Sequence, residues 1–137
     1  MLRQGPIPHF LHGAIEYAAG VLLIAAPFLL SFEASAAVAV SIVAGVIVIA
    51  LAASSDGPTS LVDSVPVSIH LLLDYALAAV LIAAPFLFAF TDESAPTAFF
   101  IVLGVLHLLV TIGTRFKPAG GPDNRREAGD IADEMFR

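Results

Sequence analysis

The chain contains one apolar segment twice. Residues 8–32 read PHFLHGAIEYAAGVLLIAAPFLLSF and residues 66–90 read PVSIHLLLDYALAAVLIAAPFLFAF. Aligned without a gap, the copies share the frame P-x3-H-x3-[E/D]-Y-x9-P-F-x3-F, and LIAAPFL is letter-identical at Leu23 to Leu29 and Leu81 to Leu87. The match resumes after one extra residue in the second copy, where Ile42-Val43-Ala44-Gly45-Val46 meets Ile101-Val102-Leu103-Gly104-Val105. Whatever one copy does with its apolar surface the other must also do, so each unit is a pair of segments and the chain is two such pairs plus a tail.

Composition says where such a unit lives. With 58% hydrophobic and only 13% charged residues and a mean hydropathy of +0.93, the chain departs from soluble domains, in which about 25% of residues are charged. Almost no charge falls inside four apolar runs, at about 13–32, 36–53, 67–90 and 95–113. Each is close to the ~20 residues that carry a helix across ~30 Å of hydrocarbon. Membrane strands would be half as long and would alternate, and no alternation is present. The expected fold is an all-α membrane protein: four transmembrane helices, arranged as two tandem helical hairpins in parallel orientation, with a pseudo-twofold axis along the membrane normal. The first unit covers about 8–53, the second about 66–114, and residues 115–137 form a tail.

The absence of cysteine excludes disulfides and thiolate metal sites. A net charge of -6 excludes nucleic acid as a partner. All six basic residues, Arg3, Arg115, Lys117, Arg125, Arg126 and Arg137, lie in the two terminal segments. By the positive-inside rule both termini of this multi-pass chain are expected in the cytoplasm, as an even number of spans requires. Ala34-Ser35-Ala36 has the form of a signal-peptide cleavage site. Recurrence of the preceding run in mid-chain, where it must be permanent, favours a retained helix.

Pro8 and Pro66 suit the first turns of helices one and three, with Glu16 and Asp74 near the positive ends of the helix dipoles and Tyr17 and Tyr75 at headgroup level. Pro27 and Pro85, each followed by an aromatic (Phe28, Phe86), should kink the helices near Leu23 and Leu81. That bend either lets each hairpin close over a short external turn or makes a hinge or a cavity lining. The external connections, Glu33 to Ser35 and Thr91 to Ser94, are short enough to force antiparallel packing within each hairpin. Small residues along helix two (Ala36, Ala37, Ala39, Ser41, Ala44, Gly45) suit close packing in lipid. In the tail, Arg115-Phe116-Lys117 is a basic stop, Pro118 to Pro122 a breaker-rich linker, and 124–137 a candidate short amphipathic helix capped by Asp123 or Asn124.

The doubled two-span hairpin, with a small-Pro-aromatic triplet in its first helix, resembles the SPW-repeat family of small bacterial membrane proteins. That family is named for Ser-Pro-Trp in the first of two transmembrane helices of each repeat. Here the triplets are Ala26-Pro27-Phe28 and Ala84-Pro85-Phe86, which keep the proline and an aromatic but neither Ser nor Trp. The resemblance covers about 8–114 and implies a membrane location and four helices. It implies no reaction.

Five ionisable side chains form a candidate polar cluster. His12 and Glu16 stand four apart on one helical face, as do His70 and Asp74. Convergence of helices one and three would bring two imidazoles and two carboxylates together, a ligand set suited to zinc, iron or manganese. The plainer reading is a pair of interfacial ion pairs solvated by headgroups, because His12 precedes its apolar run and His70 stands at the start of its own. His107 lies ~10 Å inside helix four at 1.5 Å per residue, a depth at which a polar side chain faces the bundle and bonds a partner, here Asp74 or Glu16. The first unit has Val48 at the matching place, so no symmetric histidine pair is available on helices two and four for haem.

Nucleophile elbows, phosphate-binding loops and metalloprotease helices are missing. No cofactor is implied. The residues point to a non-enzymatic structural or accessory component of the bacterial inner membrane, whose partners are the bilayer and a second copy or another membrane protein. Two further classes stay open: a metal- or haem-binding or proton-conducting protein built on the cluster, and an oligomeric small-solute channel or carrier with Ser41 lining a shared path.

Overall fold

The computed structural model describes residues 5–116 and 134–136. The expected tail helix therefore falls, apart from 134–136, outside the described residues. Four helices follow one another: α1 (His9–Leu29), α2 (Ser35–Ser54), α3 (Val67–Leu87) and α4 (Ser94–Gly113). Each is long and apolar enough to cross a bilayer, and a spanning helix satisfies its backbone polar groups within itself. The chain is a multi-pass membrane protein. α1 packs along α2 and α3 along α4, whereas α1 meets α4, and α2 meets α3, more lightly. The two hairpins are thus the tight units, and α1 and α3 face each other across the middle.

Two boundaries differ from the sequence expectation, and both matter for the site. Pro8 and Pro66 stand just outside their helices, extended at ψ 147 and 145. The Pro66 carbonyl accepts the N–H groups of Ile69 and His70, both at 3.0 Å. α1, capped by Pro8, starts at His9, four residues before its apolar run, and His12 is already helical. Glu16 and Asp74 lie about two turns in, and neither first turn holds an acidic residue. The helix dipole therefore does not account for these carboxylates, since its influence fades within one turn.

α1 and α3 end alike. Both continue through their prolines for two more residues, and then Ser31 and Ala89 turn left-handed, at φ 52 and 53. The N–H groups of Leu30 and Phe88 return to Ala26 O and Ala84 O, and those of Phe32 and Phe90 to Pro27 O and Pro85 O, at 2.8–3.0 Å. Phe32 and Phe90 then tuck into the core beside Phe99 and Phe100. At this end Glu93 joins the hairpins: its Oε1 and Oε2 accept the N–H groups of Glu33 (2.7 Å) and Ala34 (2.9 Å), just ahead of α2.

The opposite end carries features no apolar pattern predicts. Ile7–Pro8 (β1) runs parallel to Thr114–Arg115 (β2), and Ser55 bridges Val65 in the same sense. Each short pairing joins the residue leaving one hairpin to the residue entering the other. Tyr17 donates from its hydroxyl to Thr59 O (3.2 Å) and pins the α2–α3 connection.

Candidate functional site

His12, Glu16, His70, Asp74 and His107 converge in the middle of the bundle, at the end that holds the α2–α3 connection and the start of α1. Counting 1.5 Å per residue from His9, His12 and Glu16 sit about 5 and 11 Å into α1. All five side chains are buried; His12 and Asp74 are 0% exposed. The expectation of headgroup-solvated ion pairs is overturned by this burial. Its cause is the packing of α1 against α3 through their i, i+4 faces, which puts His12 against Asp74 and His70 against Glu16 rather than in the rim.

Four atoms form a ring in which imidazole nitrogen and carboxylate oxygen alternate. His12 Nε2 lies 3.1 Å from Asp74 Oδ2 and 3.6 Å from Glu16 Oε1; His70 Nε2 lies 3.2 Å from Glu16 Oε1 and 3.3 Å from Asp74 Oδ2. Ligands at ~2.0–2.1 Å from a tetrahedral metal are separated from one another by about 3.3 Å. The four edges of the ring straddle that value, and the two cross-ring pairs, which a tetrahedron also needs at about 3.3 Å, lie within 4.8 Å.

The outer nitrogens show how the rings are held. His12 Nδ1 is 2.9 Å from Thr114 Oγ1, and His70 Nδ1 contacts Ser55 Oγ. Each hydroxyl already donates its proton to the carbonyl four residues back, Thr114 to Val110 O and Ser55 to Leu51 O, both at 2.6 Å. Each hydroxyl oxygen must therefore accept, so each Nδ1 carries a proton and each Nε2 is turned to the centre. An imidazole whose far N–H is anchored in this way has the arrangement found almost without exception in metal-binding histidines. The anchors cross between hairpins: Thr114 of the second holds His12 of the first, and Ser55 of the first holds His70 of the second.

Among the described residues, three buried atoms of the cluster have no hydrogen-bond partner: Glu16 Oε1, Asp74 Oδ1 and His107 Nε2. Unpaired polar atoms are costly at this depth and call for a specific explanation. For Glu16 Oε1 the contact to His70 is close enough but not aligned as a hydrogen bond, which is how neighbouring ligands of one ion are disposed. His107 faces the cluster as expected, yet its Nε2 stops 3.7 Å from Asp74 Oδ1, beyond bonding distance. Phe116 closes the site from the chain-terminus side. It is 2% exposed, with its ring edge-on to His9, His12 and His70 at centroid distances of 5.2, 5.1 and 6.4 Å.

Sequence reasoning brought out every member of the ring but missed Ser55, Thr114 and Phe116. A signal for the first two was present: carried past the helices, the repeat alignment sets the hydroxyl of Ser55 against that of Thr114. Ser41, considered as a channel lining, is fully buried and donates to Leu23 O within the first hairpin. Pro27, Phe28, Pro85 and Phe86 lie at the other end, remote from the cluster, with both prolines buried and both phenylalanines exposed.

Comparison with curated proteins and with solved structures returns no match. The family model of the SPW repeat domain matches residues 9–114, from the first residue of α1 to the residue that anchors His12. With more than half of its length matched, the chain belongs to the SPW repeat family.

Proposed function

We propose that this protein is a non-enzymatic, metal-binding accessory component of the bacterial inner membrane, with both termini cytoplasmic and one divalent transition-metal ion, zinc first, held between its hairpins. One observation carries the reading: a buried ring of two Nε2 atoms and two carboxylate oxygens with edges of 3.1–3.6 Å. Two carboxylates together bring two negative charges, which one divalent ion neutralises in surroundings where uncompensated charge is costly. Two nitrogens and two oxygens suit zinc, and iron or manganese next.

Four protein ligands under a phenylalanine cover leave no open position for a substrate, which favours a structural over a catalytic ion. The apolar side chains exposed along all four helices, such as Phe28, Val43, Leu72 and Val102, suit contact with lipid. The terminal placement of the arginines and lysine supports the orientation.

The test is elemental analysis of protein purified in mild detergent from cells grown with trace metals. One equivalent of metal per chain is expected, lost in the double variant H12A/H70A. Protein that is isolated metal-free and takes up none of Zn2+, Fe2+ or Mn2+ would refute the reading.

A further inference from the structure

The two carboxylates of the ring are not equivalent. Asp74 faces a third histidine across 3.7 Å through its second oxygen, Oδ1. At the place matching His107 the first unit carries Val48, buried and apolar, which offers Glu16 no N–H. The sequence frame thus makes one carboxylate short and accompanied, the other longer by a methylene and unaccompanied.

Resting on the metal reading above, we propose that His107 is a positioning residue. It donates Nε2–H to Asp74 Oδ1, so that Asp74 binds the ion through Oδ2 alone, while Glu16 is the ligand free to change its mode of binding. The three unpaired atoms carry the argument. Two of them, Asp74 Oδ1 and His107 Nε2, face each other, and closing their gap by less than 1 Å gives an ordinary hydrogen bond. The third, Glu16 Oε1, is satisfied by the ion itself. One metal and one hydrogen bond therefore account for all three. A carboxylate with one oxygen on the metal and the other fixed by a donor cannot swing to chelate with both. Partners of this outer kind change metal affinity by about 10–100-fold.

Replacement of the ring is sterically mild, because His107 borders a groove of about 310 Å3 between α1 and α4, lined by Ile15, Ala18, Leu103 and Leu106 among others. The test uses full-length protein in detergent loaded with Co2+, whose visible absorption is strong when four-coordinate and weak when five- or six-coordinate. Wild type should give the strong bands. H107V should bind Co2+ about tenfold more weakly and lose most of the band intensity as Asp74 becomes bidentate, and H107Q, which keeps a donor at the Nε2 position, should restore both.

Should H107V fail to fold, H107M against H107Q makes the same comparison. Valine (or methionine) and wild-type proteins with equal affinity and superimposable spectra would overturn the role of His107 while leaving the metal site standing. Wild type that binds no Co2+ would overturn the metal reading and this inference together.

Discussion

The Ser41 hydroxyl donates to the carbonyl of Leu23 at 2.6 Å, across the α1–α2 interface. Leu23 is four residues before Pro27, which has no N–H to give, so the proline frees the acceptor and the neighbouring helix satisfies it. In the second hairpin the place of Ser41 is taken by Phe100, which is fully buried and contributes packing instead. Ser41→Ala leaves a buried carbonyl without its partner. It should lower the stability of the detergent-solubilised protein by about 1–3 kcal/mol, read as a fall in Tm by circular dichroism, with metal content unchanged. A variant as stable as wild type would show that water or the backbone supplies the bond.

Ser55 and Thr114 hold the two imidazoles of the ring from opposite hairpins. Ser55→Ala and Thr114→Val should each weaken metal binding about 10–100-fold, measured by competition with a chelating dye, while helix content is kept. Exchanging the two hydroxyl residues, S55T with T114S, should preserve affinity, because each unit then carries the other's anchor. Alanine and valine variants of wild-type affinity would mean that the hydroxyls do not orient the ligands.

How much of this was legible beforehand depends on which physical signal carried it. Four spans follow from run length and hydropathy, which a bilayer enforces residue by residue. The i, i+4 pairs His12/Glu16 and His70/Asp74 are equally visible, because helical spacing is local. Their burial was not, because it depends on α1 and α3 meeting through these faces, a tertiary contact that local spacing does not encode. The crossed anchors lay further out of sight. They arise from short parallel pairings between one hairpin's exit and the other's entry, contacts that hydrophobic periodicity does not encode. His107 faces Asp74, but the hydrogen bond expected of it is not formed. Its gap to Asp74 is a matter of a single ångström, finer than helical rise can resolve.

Gly45 lets α2 lie directly against the backbone of α1. A Cβ there would stand 2.6 Å from Gly20 O and 2.7 Å from Ile24 Cγ1, and a backbone oxygen cannot rotate away. Small residues at such a crossing let helices pack in lipid, where no hydrophobic force brings them together. Gly45→Ala should cost about 1–3 kcal/mol by overpacking, and Gly45→Leu should separate the first hairpin altogether. Thermal unfolding of the two variants in the same detergent decides the matter; equal Tm for Gly45→Leu and wild type would contradict this packing.

Removing the metal should loosen the joint between hairpins more than the hairpins themselves. α1 is tightly packed on α2, and α3 on α4, but across the joint the contacts are lighter. At the far end Glu93 supplies a clamp, and at the near end the ring of His12, Glu16, His70 and Asp74 draws two ligands from each hairpin. An ion binding only the assembled form adds about 2.7 kcal/mol at a hundredfold excess over its Kd. Zn2+ should therefore raise the Tm of wild type, EDTA should reverse the rise, and D74N should show neither effect. Amide hydrogen exchange gives the location: on chelation, protection should fall first in β1, β2 and the α2–α3 connection, where backbone bonds cross the joint, while the centres of the four helices stay protected. A uniform loss of protection along all helices would mean that the ion stabilises each hairpin rather than their union.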